Sequence, residues 1–239
     1  MRNSLVAKLI GFLLIYPLSI NSALSKNIEN QSLSLQLEEI LNQKNNDLLK
    51  ELFVQKSFKK FDQQSQDFRK KYQNTKWSIK AIKNYPEKTL LDVNITGTRE
   101  IGDQIYNLNS KQIVKIETYE NKIKSFQVIN QESILNSQKS PLVIKIISPD
   151  KVLTGERYEI NLIIEKPLDN SLIASGMIVL KNNKKVNISN DEFGIKPNQS
   201  GGLFKYIQAP LAPGFQTISA IITHPEGIYS ITKKIKVGL

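Results

Sequence analysis

The chain has 239 residues, a formal net charge of +11, and hydrophobic residues at 40% of its positions. This composition allows one large or two ordinary globular domains with buried cores. Cysteine is absent, which excludes disulfides, thiolate nucleophiles and cysteine-ligated metals. Only four of the 33 basic residues are arginine, and because recognition of phosphates and bases favours the arginine fork, we predict no nucleic-acid partner.

Residues 1–25 have the pattern of a secretory signal peptide. Arg2 and Lys8 supply positive charge, residues 9–16 supply a short apolar run, and Ala23 and Ser25 are small residues at cleavage-site positions. The apolar run is shorter than the roughly 20 residues of a membrane span. We therefore predict a cleaved signal and an exported protein, in a periplasm or thylakoid lumen rather than outside the cell, with an uncleaved anchor as the alternative.

Two helices are predicted next, over residues 35–53 and 57–73. In the first, leucines recur every three or four residues, and Asn46 is placed to cap a second segment. The second has an apolar stripe of aromatic residues, namely Phe58, Phe61, Phe68 and Tyr72. Both helices are thus expected to bury one face.

From Trp77 the apolar period changes to two, which is typical of strands that are buried on one side. This alternation continues, with turn-like breaks, to about Asn130. The economical packing is an α+β cone, in which the two helices cover one face of a curved antiparallel sheet. Residues 130–141 are polar and end at Pro141, which cannot lie inside a central strand, so we predict a domain boundary there.

The second half contains only strand patterns. Seven short strands are expected, at residues 143–147, 158–164, 173–180, 185–188, 203–208, 216–223 and 228–237. Their spacing, with glycine, proline and asparagine turns between them, predicts an all-β sandwich.

Residues 33–135 resemble the nuclear transport factor 2-like (cystatin-like cone) superfamily. The resemblance rests on the order of two helices followed by Trp77-Ser78-Ile79-Lys80, Val93-Asn94-Ile95-Thr96-Gly97, Gln112-Ile113-Val114 and Lys122-Ile123. Residues 141–239 resemble a bacterial immunoglobulin-like sandwich, through Ser148-Pro149 and Leu211-Ala212-Pro213-Gly214. The resemblance implies an NTF2-like domain followed by an immunoglobulin-like domain.

The whole arrangement also resembles an uncharacterised exported family of cyanobacteria. The segments that carry this resemblance are Gly201-Gly202-Leu203-Phe204-Lys205 and His224-Pro225-Glu226-Gly227. It implies architecture and compartment, and it implies no chemistry.

No catalytic residue, metal site or cofactor is predicted. His224 is the single histidine, so a Ser-His-Asp triad or a zinc site would have to use it, yet it lies in a turn-like segment. The aspartates are scattered and form no calcium-binding loop. An enzyme or carrier that uses a carboxylate in a pocket of the first domain remains the alternative.

Three groups of residues are candidates for binding. Phe68, Tyr72, Trp77 and Tyr106 are predicted to line an apolar ligand pocket or to be ordinary core. A docking patch for an acidic partner or an anionic surface, or else a solvated helix face, is predicted at Lys56, Lys59, Lys60, Arg69, Lys70 and Lys71. Gly201, Gly202 and His224 are expected in turns of the second domain, and Leu203, Phe204 and Tyr206 are either core or an exposed contact strip.

These features predict an exported, non-enzymatic accessory protein that binds another exported or membrane-associated protein. A small apolar ligand in the first domain, weak contact with an anionic surface, and a homodimer are the other partners that the sequence allows.

Overall fold

The computed structural model describes residues 30–85, 88–165, 172–180, 194–198 and 201–238. The predicted signal peptide and the strand expected at residues 185–188 lie outside these residues. The described helices are α1 (Asn30–Gln43), α2 (Asn46–Glu51) and α3 (Gln55–Lys71). The described strands are β1 (Gln73–Tyr85), β2 (Lys88–Ile101), β3 (Gln104–Tyr119), β4 (Lys122–Ser137), β5 (Ile144–Ile147), β6 (Lys151–Val152), β7 (Arg157–Ile164), β8 (Ile173–Leu180), β9 (Lys196–Asn198), β10 (Gly202–Gln208), β11 (Gly214–His224) and β12 (Gly227–Val237).

The first predicted helix is broken into α1 and α2. Lys44 takes the left-handed conformation with φ of 58°, which ends α1. The Asn45 side chain then accepts a hydrogen bond from the Leu48 backbone amide at 3.2 Å. The cap of the second segment is therefore Asn45 and not Asn46 as predicted.

The described strands form two sheets. The larger sheet has nine strands in the hydrogen-bonded order β1-β2-β3-β4-β12-β11-β8-β9, with β6 paired to β12. The smaller sheet has three strands in the order β10-β7-β5. Among the described residues, no helix combines the length and the apolar character needed to cross a membrane.

Contacts divide the described chain into two compact units. One, the helical unit, contains residues 30–99 and 108–131, and the other, the two-sheet unit, contains residues 100–107 and 132–238. Strands β2, β3 and β4 contribute residues to both units. The domain limits expected from the sequence stay a prediction.

The predicted fold class, an α+β cone followed by a separate immunoglobulin-like sandwich, is wrong. The fold is mostly β, with a short helical part at its start, and one sheet holds both β1 to β4 and most strands of the second half. The error arises at β4, which runs through the predicted boundary to Ser137. Its buried positions there include Gln131, Ser133 and Ser137, so small and polar side chains hide the alternation that marks a strand.

The helical unit is held together by aromatic packing and by main-chain bonds. The Phe61 ring on α3 lies 4.8 Å from the Phe53 ring and 5.3 Å from the Phe126 ring on β4, between centroids. The Ile123 amide donates to the Leu52 carbonyl at 2.8 Å, and the Val54 amide donates to the Ile123 carbonyl at 3.0 Å. These contacts fix the helices against the strands of this unit.

The two-sheet unit has its own apolar core. The smaller sheet contributes Tyr158, Ile160, Leu162 and Ile207 to it, and the larger sheet contributes residues of β8, β11 and β12. The alternation along β7 places Tyr158, Ile160 and Leu162 inward and their neighbours outward, and Ile207 is the buried large side chain of β10.

Candidate functional site

Three of the four predicted pocket aromatics lie together in the helical unit. The Phe68 ring is 4.8 Å from the Tyr72 ring and 5.8 Å from the Trp77 ring, and the Arg99 guanidinium is 5.7 Å from the Tyr72 centroid. Burial raises the pKa of Tyr72, although Arg99 acts in the opposite direction. Tyr106 is buried in the two-sheet unit and does not belong to this cluster.

The helical unit contains a cavity of about 70 Å³. Trp77 is the only one of the predicted pocket residues that lines it. Its one polar lining residue is Gln112, whose amide donates to the Ser110 hydroxyl at 3.1 Å. An apolar cavity that accepts benzene is about 150 Å³, so this space supports core packing better than a cup for an organic ligand.

The predicted docking patch is only partly exposed. Lys59, Lys70 and Lys71 are exposed, whereas Lys60 and Arg69 are partly buried. Burial lowers the pKa of both Lys60 and Arg69, with Asp62 opposing it at Arg69. The Arg69 guanidinium donates to the Asn46 side chain at 3.1 Å, so it ties α3 to α2.

His224 and Gly201, two of the residues predicted in turns, lie at or next to strand ends. The His224 ring accepts a hydrogen bond through Nδ1 from the Glu226 amide at 3.1 Å, at the tip of the β11–β12 hairpin. Gly201 has a φ of 68° and precedes β10. Within the described ranges, no group of three histidine, aspartate or glutamate side chains is placed to hold a metal ion.

Strand β10 separates core residues from exposed aromatic ones. Leu203 is partly buried against the core and Ile207 is buried. Phe204 and Tyr206 point to the other side, with 52% and 64% of their surface exposed. The sequence left this segment as either core or an exposed strip. Leu203 packs against the core, whereas Phe204 and Tyr206 are exposed.

Register brings further side chains beside these aromatics. Tyr206 lies opposite Glu159 of β7, and Phe204 lies opposite Asn161, which in turn lies opposite Ile147 of β5. Ile147 is 46% exposed. The exposed side of the smaller sheet, called the aromatic face below, comprises Ile147, Arg157, Glu159, Asn161, Phe204 and Tyr206.

Two charged groups lie beside Tyr206. The Arg157 guanidinium lies 4.8 Å from the centre of the Tyr206 ring, at cation–π distance. A hydrogen bond to Glu159 raises the pKa of the Tyr206 hydroxyl. An exposed tyrosine that is already oriented loses less side-chain entropy when it binds a partner.

Phe204 is held over a glycine. A Cβ atom at Gly202 would lie 3.1 Å from Cζ and 3.2 Å from Cε2 of Phe204. The ring therefore covers the Gly202 backbone on the same side of the strand and keeps its other side open to solvent. Glycine at this position makes room for that arrangement.

Lys205 lies between the two aromatics and on the opposite side of β10. It faces Ile160 of β7 across the ladder and is exposed. Strand β10 is at an end of the smaller sheet, and a charge on the core side of an end strand opposes pairing with another strand. The aromatic face, rather than the strand edge, is therefore the surface suited to contact.

The sequence prediction missed Ile147, Arg157, Glu159 and Asn161 as site residues. The alternation of Arg157, Glu159 and Asn161 with Tyr158, Ile160 and Leu162 was a usable signal for an exposed side of β7. Their closeness to Tyr206 depends on the register between β7 and β10, which cannot be read from the sequence.

Part of the chain matches a known protein family. No curated protein matches the chain. A family model matches residues 139–238, a segment that begins after β4 and includes the whole aromatic face. Residues 139–238 are similar to a family described as a domain of unknown function, DUF8623.

Proposed function

We propose that this chain is an exported, non-enzymatic accessory protein that binds another protein through its aromatic face. The observation that carries this proposal is the pair Phe204 and Tyr206, more than half exposed on one side of β10. Exposed apolar side chains that cluster on one side of a soluble protein, rather than lying singly, mark contact surfaces.

The composition of the aromatic face matches that of binding hot spots. Tyrosine and arginine are the residues that most often dominate the binding energy of protein interfaces. Here Arg157 and Tyr206 are stacked, and Ile147 adds apolar area beside them. Glu159 and Asn161 supply polar groups around this centre, as in the rim of an interface.

The alternative function, a small-molecule enzyme or carrier that uses a pocket of the first half, has less support. The cavity there is about 70 Å³ and apolar. Its single polar lining residue, Gln112, is occupied by Ser110. A carrier of this kind needs a larger space with free polar groups that orient the ligand.

The test is affinity capture from the exported fraction of the source cells. The bait is the unchanged chain, the double variant Phe204→Ser/Tyr206→Ser, or the control Leu211→Ser. Leu211 is 88% exposed and lies outside the aromatic face. A specific partner should be retained by the unchanged chain and by the control, and lost by the double variant.

The mass of the pure protein in solution completes this test. A homodimer that the double variant disrupts would identify a second copy of the chain as the partner. A strictly monomeric mass, together with capture of the same proteins by all three baits, would show that the proposal is wrong.

A further inference from the structure

The exposed side of α3 is a straight row of lysine and glutamine. Its exposed central positions are Lys56, Lys59, Gln63, Gln66 and Lys70, called the lysine row below. These residues are three or four positions apart and therefore share one side of the helix. At 1.5 Å per residue, the row is about 21 Å long.

The opposite side of α3 is fixed to the helical unit. Phe61 packs on Phe53 and Phe126, and the Ser57 hydroxyl donates a hydrogen bond to the Lys124 carbonyl. Phe68 is buried on the same side. The lysine row consequently points away from the core of this unit.

Few carboxylates lie near the lysine row, so its positive charge is largely uncompensated. The helix has six basic residues and two aspartates. Asp62 and Asp67 are only partly exposed, and Asp62 accepts a hydrogen bond from Gln66 at 2.9 Å. Within the part of the chain that the structure describes, Lys56, Lys59 and Lys70 take part in no ion pair.

We propose that the lysine row docks the helical unit onto the surface of an anionic lipid bilayer. This inference is independent of the protein-binding role of the aromatic face, because it concerns a different unit and different chemistry. A straight row of flexible point charges complements the diffuse negative potential of such a surface.

An acidic protein fits the row less well than a bilayer does. The row contains no aromatic or large apolar side chain, and those groups usually form the centre of a protein interface. The only arginine of the helix, which could pair bidentately with a carboxylate, is engaged with Asn46. Charge alone remains for recognition.

The experiment is co-sedimentation of the full chain with vesicles. One set contains phosphatidylglycerol and phosphatidylcholine in equal parts, and the other contains phosphatidylcholine alone. The test variant is Lys56→Gln/Lys59→Gln/Lys70→Gln. The control variant, Lys122→Gln/Lys139→Gln/Lys151→Gln, removes the same charge from exposed positions outside the row. All proteins keep the same N-terminal residues, so a difference between them reports the lysines.

The unchanged chain should bind the anionic vesicles more tightly than the neutral ones, and this binding should weaken as salt is raised. Each lysine near an anionic bilayer contributes about a fivefold gain. The test variant should therefore lose about 100-fold in partition, Lys59→Gln alone about fivefold, and the control variant little. Circular dichroism checks that every variant keeps its helices.

Three results would overturn the proposal. The first is equal loss in the test and control variants, because net charge would then be the cause. The second is equal binding of the unchanged chain to both kinds of vesicle. The third is binding to soluble polyglutamate without binding to anionic vesicles, which would assign the row to an acidic protein.

Discussion

The Tyr158 hydroxyl donates a hydrogen bond of 2.7 Å to the Oε1 atom of Gln216 in the interior of the two-sheet unit. Gln216 in turn donates from Nε2 to the Gln208 carbonyl at 3.2 Å. Tyr158 and Gln208 belong to the smaller sheet, and Gln216 belongs to the larger one. A short polar chain therefore joins the two sheets, and it is buried at the bond between Tyr158 and Gln216.

Removal of the Tyr158 hydroxyl should destabilise the protein. In Tyr158→Phe the Gln216 side chain loses its donor while it stays buried, which should lower the free energy of unfolding by about 1–2 kcal/mol. Urea unfolding measures this. Tyr206→Phe is the control, because its hydroxyl is exposed, and it should change stability by less than about 0.5 kcal/mol. Equal effects of the two substitutions would contradict the role assigned to this bond.

The buried tyrosines should make the protein sensitive to alkali. Burial raises the pKa of Tyr158 and of Tyr229, the latter with a smaller contribution from Glu132. A tyrosine in the unfolded chain ionises near pH 10. The folded state therefore holds these protons more tightly, and its stability is complete below about pH 10 and falls as the pH rises further.

Unfolding free energies measured from neutral pH to above pH 10 test this sign. Tyr158→Phe removes one such group, so its alkaline loss should be shallower by up to about 1.4 kcal/mol per pH unit. A parallel decline in the variant and the unchanged chain would mean that Tyr158 ionises equally easily in both states.

Local pattern identified most secondary structure but not its assembly. Strand β8 covers the predicted residues 173–180, and β7 begins one residue before the predicted start at Tyr158. The pattern failed where buried side chains are polar, because Gln131, Ser133 and Ser137 in β4 resemble a linker in sequence. Because this part of β4 was interpreted as a linker, the sequence did not predict that β4 and β12 are neighbours in one sheet.

The candidate sites were predictable to different degrees. Helical spacing indicated an exposed basic side of α3. The structure excludes Arg69 from that side, because its guanidinium donates a hydrogen bond to Asn46. Phe204 and Tyr206 were recognised as either core or contact strip. The choice between them depends on which side of β10 meets the core, and a strand with Lys205 between two aromatics has no clean alternation.

Gly202→Ala should disturb the pairing of β7 and β10. A Cβ atom at this position would clash with the Leu162 carbonyl oxygen and would press on the Phe204 ring. Because the clash is with backbone, it cannot be relieved by a side-chain rotation, and a cost of about 1–3 kcal/mol is expected. Urea unfolding measures it.

The neighbouring glycine separates this steric effect from a conformational one. Gly201 has a φ of 68°, and a Cβ there would meet no atom within 4 Å. Asparagine tolerates the left-handed conformation better than most residues do, so Gly201→Asn should cost about 1 kcal/mol. If Gly201→Asn proves the more destabilising of the two, the space around Gly202 is not the limiting factor.

Lys233 should stabilise the two-sheet unit by joining three segments of it. Its ammonium lies 3.0 Å from the Glu132 carboxylate on β4 and 2.7 Å from the Asp150 carboxylate, which precedes β6. Burial by itself would lower the pKa of Lys233, but the hydrogen bonds to Asp150 and Glu132 outweigh it and hold the pKa above its ordinary value. The lysine is therefore charged at neutral pH.

Lys233→Met keeps the apolar stem and removes the charge. The Lys233 side chain is 10% exposed, but Glu132 and Asp150 are 32% and 69% exposed, so both carboxylates can recover water. The expected loss is about 1–2 kcal/mol, between that of a surface pair and that of a fully buried one. Lys236→Met, at an exposed position of the same strand, should cost less than about 0.5 kcal/mol. If the unfolding free energies of the two variants are equal, the three segments are held by main-chain pairing alone.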